Sequence, residues 1–135
     1  MNKVLIVHTS WYKEHIDEMI KESSDILIEA NFSINLTCAP GAIELAALAK
    51  NKILKDKYMG VLFLGVVIRG ETTHYELVTN EAFRSIGNLS MDFNDISFIN
   101  NVLCVENVSQ LKERIRKNTE NNAKALIDLI YEKSS

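Results

Sequence analysis

The sequence predicts a three-layer α/β sandwich, with a four-stranded parallel sheet and helices on both of its faces. Three observations carry this expectation. Short apolar runs alternate with helical-period segments of ten or more residues, and parallel strands need crossovers of that length because no tight turn can join them. Strand and helix recur in strict alternation, and right-handed crossovers then lay helices on both sides of one sheet. At 135 residues the chain has room for one core and too little for two ordinary domains, so residues 1–135 read as a single domain.

The elements follow in order. Val4-Leu5-Ile6-Val7 is a β-branched-rich run suited to a central strand buried on both faces. Ile16, Met19, Ile20, Ser23, Ile26, Leu27 and Ala30 follow helical spacing, with Lys13, Glu14, Asp17, Glu18 and Lys21 on the wetter side. Phe32, Ile34 and Leu36 alternate with Ser33, Asn35 and Thr37, which predicts a more exposed strand ending near Cys38. Ala39-Pro40-Gly41 turns the chain. The Ala- and Leu-rich stretch from Ala42 to Leu54 carries no breaker and predicts a buried helix. Gly60 to Ile68 is the most apolar strand. A helix follows from about Thr73, its inner face marked by Tyr75, Val78, Ala82 and Ile86. Ile96 to Val105 is a fourth strand, and Val108 to the C-terminus is helical with a break expected in the polar run Lys117 to Asn122.

Composition excludes several function classes. The chain is 47% hydrophobic and 24% charged, and no apolar run approaches the roughly 18 residues that span a bilayer. A formal charge of -3 opposes a nucleic-acid binder driven by bulk electrostatics, although Lys112, Arg114, Arg116 and Lys117 form a basic cluster able to hold one small anion. Met1-Asn2-Lys3 leads directly into Val4 to Val7, too short for a signal-peptide core, so the expected location is cytoplasmic. Cys38 and Cys104 lack metal-ligand spacing and read as reduced, partly buried thiols. No metal site or cofactor is expected, and a nucleotide-binding module is disfavoured because the chain has no G-x-G-x-x-G or Walker loop.

Chemistry concentrates in Gly65 to Val78, "GVVIRGETTHYELV". In open parallel sheets, ligands bind beyond the carboxyl ends of the strands, where loops enter helices, and this stretch occupies that position. Thr73-His74-Tyr75-Glu76 fits an S/T-x-x-E capping box, which would place His74 in the first helical turn. Gly70 would let the backbone approach a ligand, and free amides around Glu71, Thr72 and Thr73 would favour an anion such as phosphate. The Glu71 carboxylate opposes that reading unless it points away from the amides. Each feature alone also fits an ordinary helix start.

The joint pattern resembles the lumazine synthase family. "APGAIELA", Ala39 to Ala46, is similar to the family's PGA-x-E segment, and "GVVIRGETTHYELVTNEA", Gly65 to Ala82, to its VIRG-x-T-x-H signature. Trp11 after the first strand matches its ring-stacking position, and Arg114 in the late helix its phosphate-binding arginine. The resemblance covers the chain from Lys3 to the C-terminal helix.

The resemblance implies a flavodoxin-like fold and a transferase of riboflavin biosynthesis. It would condense 5-amino-6-(ribitylamino)uracil with 3,4-dihydroxy-2-butanone 4-phosphate to 6,7-dimethyl-8-ribityllumazine, releasing phosphate and water, without metal or redox cofactor. By the same likeness Trp11 stacks on the pyrimidine, Glu44 bonds the ribityl chain beside the backbone of Ala42 and Ile43, and the backbone of Val66, Val67 and Ile68 reads the ring edge. His74 moves protons, Glu71 and Thr72 lie against the phosphate, and Arg114 holds it. In relatives that arginine comes from a neighbouring subunit, so a homo-oligomer, minimally a pentamer, is implied, with Asn100 and Arg114 of one chain facing Trp11 and His74 of the next. A pathway contact with riboflavin synthase is a further implied partnership.

Two positions depart from the family pattern. Asn122 stands where many relatives have lysine, and Asn100-Asn101 where many have an aromatic residue followed by glycine. The short N-terminus also lacks the strand that some relatives add to a neighbour's sheet, which weighs against a capsid. The rival reading is a non-catalytic lumazine- or flavin-binding protein or a shell-forming paralogue.

Overall fold

A computed structural model describes residues 2–135. Met1, part of the N-terminal stretch weighed above against a signal segment, lies outside them. The strands are β1 (Lys3–His8), β2 (Ser33–Cys38), β3 (Gly60–Ile68) and β4 (Ser97–Val105). The helices are α1 (Lys13–Glu29), α2 (Leu45–Ile53), α3 (Tyr75–Asp92) and α4 (Val108–Ser134), with single 3₁₀ turns at Ala42–Glu44 and Arg69–Glu71. All strand pairs are parallel, in the order β2-β1-β3-β4. This is the flavodoxin-like arrangement that the alternation of strands and helices predicts.

Side-chain alternation in the strands divides the core in two. Val4 and Ile6 of β1, with Leu62 and Leu64 of β3, meet Ile16, Met19 and Leu27 of α1 and Leu111, Ile115, Leu126 and Ile130 of α4. Leu5 and Val7, with Val61 and Phe63, meet Leu45, Ala46 and Ala49 of α2 and Ile86 and Leu89 of α3. A parallel strand covered on both sides must be apolar at every position, and β3 is buried along all nine residues. Edge strand β2 instead leaves Ser33, Asn35, Leu36 and Cys38 exposed; Leu36 departs from the alternation expected of it, because the sheet edge leaves that end of the strand uncovered. Gly60 allows close approach at the start of β3: a Cβ there would stand 2.9 Å from Ile130 Cδ1.

Four local expectations need correction. α4 is continuous through Lys117 to Asn122. Asparagine is a weak helix former, but buried Asn101 donates from Nδ2 to Thr119 Oγ1 at 3.0 Å, and Asn122 donates to Asn101 Oδ1 at 2.6 Å. Those tertiary bonds, between the buried turns at Ile115 and Ala123, outweigh local propensity. The second helix starts later than expected because Ala42–Glu44 forms a 3₁₀ turn whose residues are not buried. Helix α3 starts at Tyr75, with no side-chain cap. Cys38 is exposed rather than partly buried, since it ends an edge strand.

Candidate functional site

The order β2-β1-β3-β4 makes a crevice between β1 and β3. β1 feeds α1 on one face of the sheet, whereas β3 feeds α3 on the other, so the two outgoing loops part and leave a gap. A cleft of about 640 Å³ opens there. Trp11 and Tyr12 after β1, Gly41 to Glu44 after β2, and Val66, Val67 and Glu71 to Thr73 at the end of β3 line it, together with Val78 of α3.

The aromatic wall is fixed by polar contacts. Trp11 is 66% exposed, and its indole Nε1 donates to the Pro40 carbonyl at 3.0 Å. That bond ties the loop after β1 to the turn after β2 and leaves the ring plane beside the cleft. In the same turn, Gly41 makes room for Glu44: a Cβ at Gly41 would stand 3.0 Å from Glu44 Oε1. The Glu44 amide donates back to the Gly41 carbonyl at 3.2 Å, which sets the carboxylate over the glycine.

The turn after β3 is organised differently from the capping box expected of it. Glu76 does not reach back to cap α3; its carboxylate pairs with Arg69. Arg69 also donates from Nε to Glu106 Oε2 at 2.8 Å and lies 4.1 Å from the centre of the Tyr75 ring. A guanidinium offering several donors and a stacking plane draws the carboxylate away from the neutral amides. His74 is therefore the N-cap residue, exposed, rather than a member of the first turn. Gly70 does not face the ligand space: its amide donates to the Glu106 carbonyl at 3.3 Å, and a Cβ on it would stand 3.4 Å from that oxygen. The Thr72 amide is shared with the Arg69 carbonyl at 3.4 Å, while the first amides of α3 have no intrahelical partner.

The sequence-predicted residues fall into three groups. Trp11, Ala42, Ile43, Glu44, Val66, Val67, Glu71 and Thr72 line one cleft. Ile68 is buried beneath it, and His74 stands exposed next to lining residue Thr73. Asn100 and Arg114 do not line the cleft. Asn100 Oδ1 accepts from the Val102 amide at 2.8 Å, sealing a donor on an edge strand, while Arg114 is exposed on α4.

Sequence reasoning missed Tyr12, Gly41 and Val78 as cleft residues, while Thr73, expected beside a bound anion, does line it. Tyr12 had one available signal, its position beside Trp11 in the loop after β1. Its hydroxyl donates to Glu71 Oε1 at 3.0 Å. Burial, then the bond to Glu71, pushes the Tyr12 phenol above its ordinary range, so it stays a donor. Among the described residues, no group of three His, Cys, Asp or Glu side chains is placed to hold a metal ion.

The family model for 6,7-dimethyl-8-ribityllumazine synthase matches residues 1–133. The chain belongs to the 6,7-dimethyl-8-ribityllumazine synthase family. It is 34% identical over 129 residues to the 6,7-dimethyl-8-ribityllumazine synthase of Neisseria meningitidis serogroup C / serotype 2a, covering 93% of this chain and 81% of that protein. It is 36% identical over 119 residues to the enzyme of that name from Bartonella tribocorum, covering 87% and 78%. The enzyme of that name from Novosphingobium aromaticivorans is 36% identical over 110 residues, covering 82% and 78%. Within this chain, the two departures from the family pattern touch each other: Asn122 is bonded to Asn101 at 2.6 Å. Asn122 is thus part of the β4–α4 seam.

Proposed function

We propose that this chain condenses 5-amino-6-(ribitylamino)uracil with 3,4-dihydroxy-2-butanone 4-phosphate to 6,7-dimethyl-8-ribityllumazine, releasing phosphate and water. The observation that carries the reading is the switch-point cleft of a lumazine synthase family chain, where an anchored indole, a glycine-backed carboxylate and the end of β3 share one space.

Each group has a task suited to its chemistry. The Trp11 ring stacks on the flat pyrimidine, an interaction worth about 0.5–1.5 kcal/mol beyond burial. Glu44 accepts from ribityl hydroxyls, beside the backbone of Ala42 and Ile43. The main chain of Val66, Val67 and Ile68 bonds the ring edge. The phosphate lies by Glu71, Thr72 and the open start of α3, where backbone donors and the helix dipole favour an anion. Amine attack on the ketone forms an imine and releases one water. Elimination then expels phosphate to leave an enol that becomes a carbonyl, and closure of the ribityl-bearing nitrogen on that carbonyl releases a second water. His74, exposed at the rim, exchanges the protons.

Arg114 completes the phosphate site from a neighbouring copy. Because α4 carries this exposed arginine away from its own cleft, the reading requires association, and a pentamer with Asn100 and Arg114 facing the next chain's Trp11 and His74 meets it. The protein would then work as a cytoplasmic homo-oligomer whose product passes to riboflavin synthase.

The test mixes purified protein with both substrates and follows lumazine absorbance and phosphate release together. Equimolar appearance of the two is the expected result. Tight ligand binding with neither product formed would instead establish a non-catalytic binding or shell-forming paralogue.

A further inference from the structure

Glu71 presents an electrostatic problem that the cleft must solve. It lines the cleft beside Thr72 and Thr73, and α3 begins a few residues later with no side-chain cap. A carboxylate is a favourable partner for a helix N-terminus, so a freely swinging Glu71 would occupy the place proposed for the substrate phosphate and repel it as well. Arg69, the cation of its own turn, is taken by Glu76 and Glu106. Glu71 is held instead by Tyr12, whose hydroxyl donates across the cleft mouth at 3.0 Å.

Tyr12 is built to make that reach. Its backbone is left-handed, at φ 59 and ψ 51, a conformation uncommon for an aromatic residue and found preferentially where function over-determines the backbone. Here the first turn of α1 holds it: the Tyr12 carbonyl accepts from the His15 amide at 2.9 Å and the Ile16 amide at 3.0 Å. The half-buried ring packs against the core under α1. The backbone and ring are therefore anchored on the β1 side of the crevice while the hydroxyl reaches the β3 side.

We propose that Tyr12 is a positioning residue for the phosphate end of the cleft: its hydroxyl parks the Glu71 carboxylate and keeps it from competing with an anionic substrate for the start of α3. The inference rests on the reading of the cleft given above. It assigns Tyr12 a role in affinity for the phosphorylated substrate, exerted through Glu71 and not through contact with the reacting atoms.

The experiment compares wild type, Tyr12→Phe, Glu71→Gln and the double variant in the intact protein, measuring Kd for inorganic phosphate and KM for each substrate. Tyr12→Phe weakens phosphate binding and raises KM for the phosphorylated substrate about twofold to fivefold, the range expected for one charge at a helix N-terminus. Most of the loss falls on that KM rather than on kcat. Adding Glu71→Gln to Tyr12→Phe restores both quantities, because the liberated carboxylate is gone. Unchanged phosphate affinity in Tyr12→Phe, or a loss that persists in the double variant, overturns the proposal, as does a wild-type protein that binds no phosphate. A wild type that binds phosphate but forms no lumazine refutes the activity alone, and the phosphate arm still decides the role of Tyr12.

Discussion

Helices α1 and α4, of 17 and 27 residues, line one face of the sheet with a continuous apolar seam. On the other face α2 and α3 contribute 9 and 18 residues, and Ile43, Leu54, Leu77, Phe83 and Met91 are left in solvent, against Ile28 and Tyr131 on α1 and α4. The polar groups divide in a similar way. At the β4–α4 seam, Asn101, Thr119 and Asn122 bond one another, as buried amides must. At the crevice end, the hydroxyl of buried Thr9 has no hydrogen-bond partner among the described residues, and Tyr12 holds a left-handed backbone. A face that satisfies its own groups can serve as scaffold. The other face leaves large apolar groups in solvent, and the crevice end leaves a buried hydroxyl without a partner among the described residues.

Substitutions can break this contrast, beginning with the covered face. Leu126 is fully buried on the inner side of α4, and Leu126→Ala is expected to cost about 2–5 kcal/mol of unfolding free energy, checked by denaturant titration. The next largest effect belongs to the neighbour-facing surface. If Arg114 holds the substrate phosphate as proposed, Arg114→Ala removes a charge-assisted contact worth about 1.5–3 kcal/mol, seen as a rise in KM for the phosphorylated substrate. His74→Ala should lose less in steady-state kinetics, because holding the two substrates together supplies most of the acceleration; a dead His74 variant beside an active Arg114 variant reverses that ordering.

Asn122→Ala takes one partner from the buried Asn101 carbonyl, with an expected destabilisation of about 1–3 kcal/mol. A lowered melting temperature with substrate KM values near wild type would assign Asn122 to the seam rather than to phosphate binding. Met91, 80% exposed on α3, is expected to tolerate Met91→Ser within about 0.5 kcal/mol. A thermal loss as large as that of the Leu126 variant would show that another chain covers this face in solution.

The thiols supply a chemical probe of the same division. Burial pushes Cys104 up to about 11, whereas Cys38 is exposed at the end of β2. Alkylation at neutral pH followed by peptide mass spectrometry should therefore label Cys38 ahead of Cys104. Because the folded value is raised above the ordinary thiol value of 9.0, the stability linked to Cys104 is complete below that value and declines as pH rises from it towards 11.

Much of the fold was legible because its signals are local. The apolar run Gly60 to Ile68, the alternation of Phe32 to Thr37 and the helical spacing from Ile16 each follow from the period at which one backbone conformation presents side chains to a core. The order of these elements confined the chain to a parallel sheet, and the positions of Trp11, Glu44 and the stretch from Gly65 placed the candidate site at the strands' carboxyl ends. Long-range contacts settled the remainder. Glu76 lies at capping-box spacing from Thr73, yet the Arg69 guanidinium takes its carboxylate. The polar run from Lys117 reads as a break, yet Asn101, at least 16 positions away in sequence, keeps it helical. Tyr12 and Glu71 are 59 residues apart and meet only because β1 and β3 are neighbours whose outgoing loops part. Periodicity reports which face a residue turns to the core, but the partner of a polar group depends on what the folded chain brings within about 3 Å.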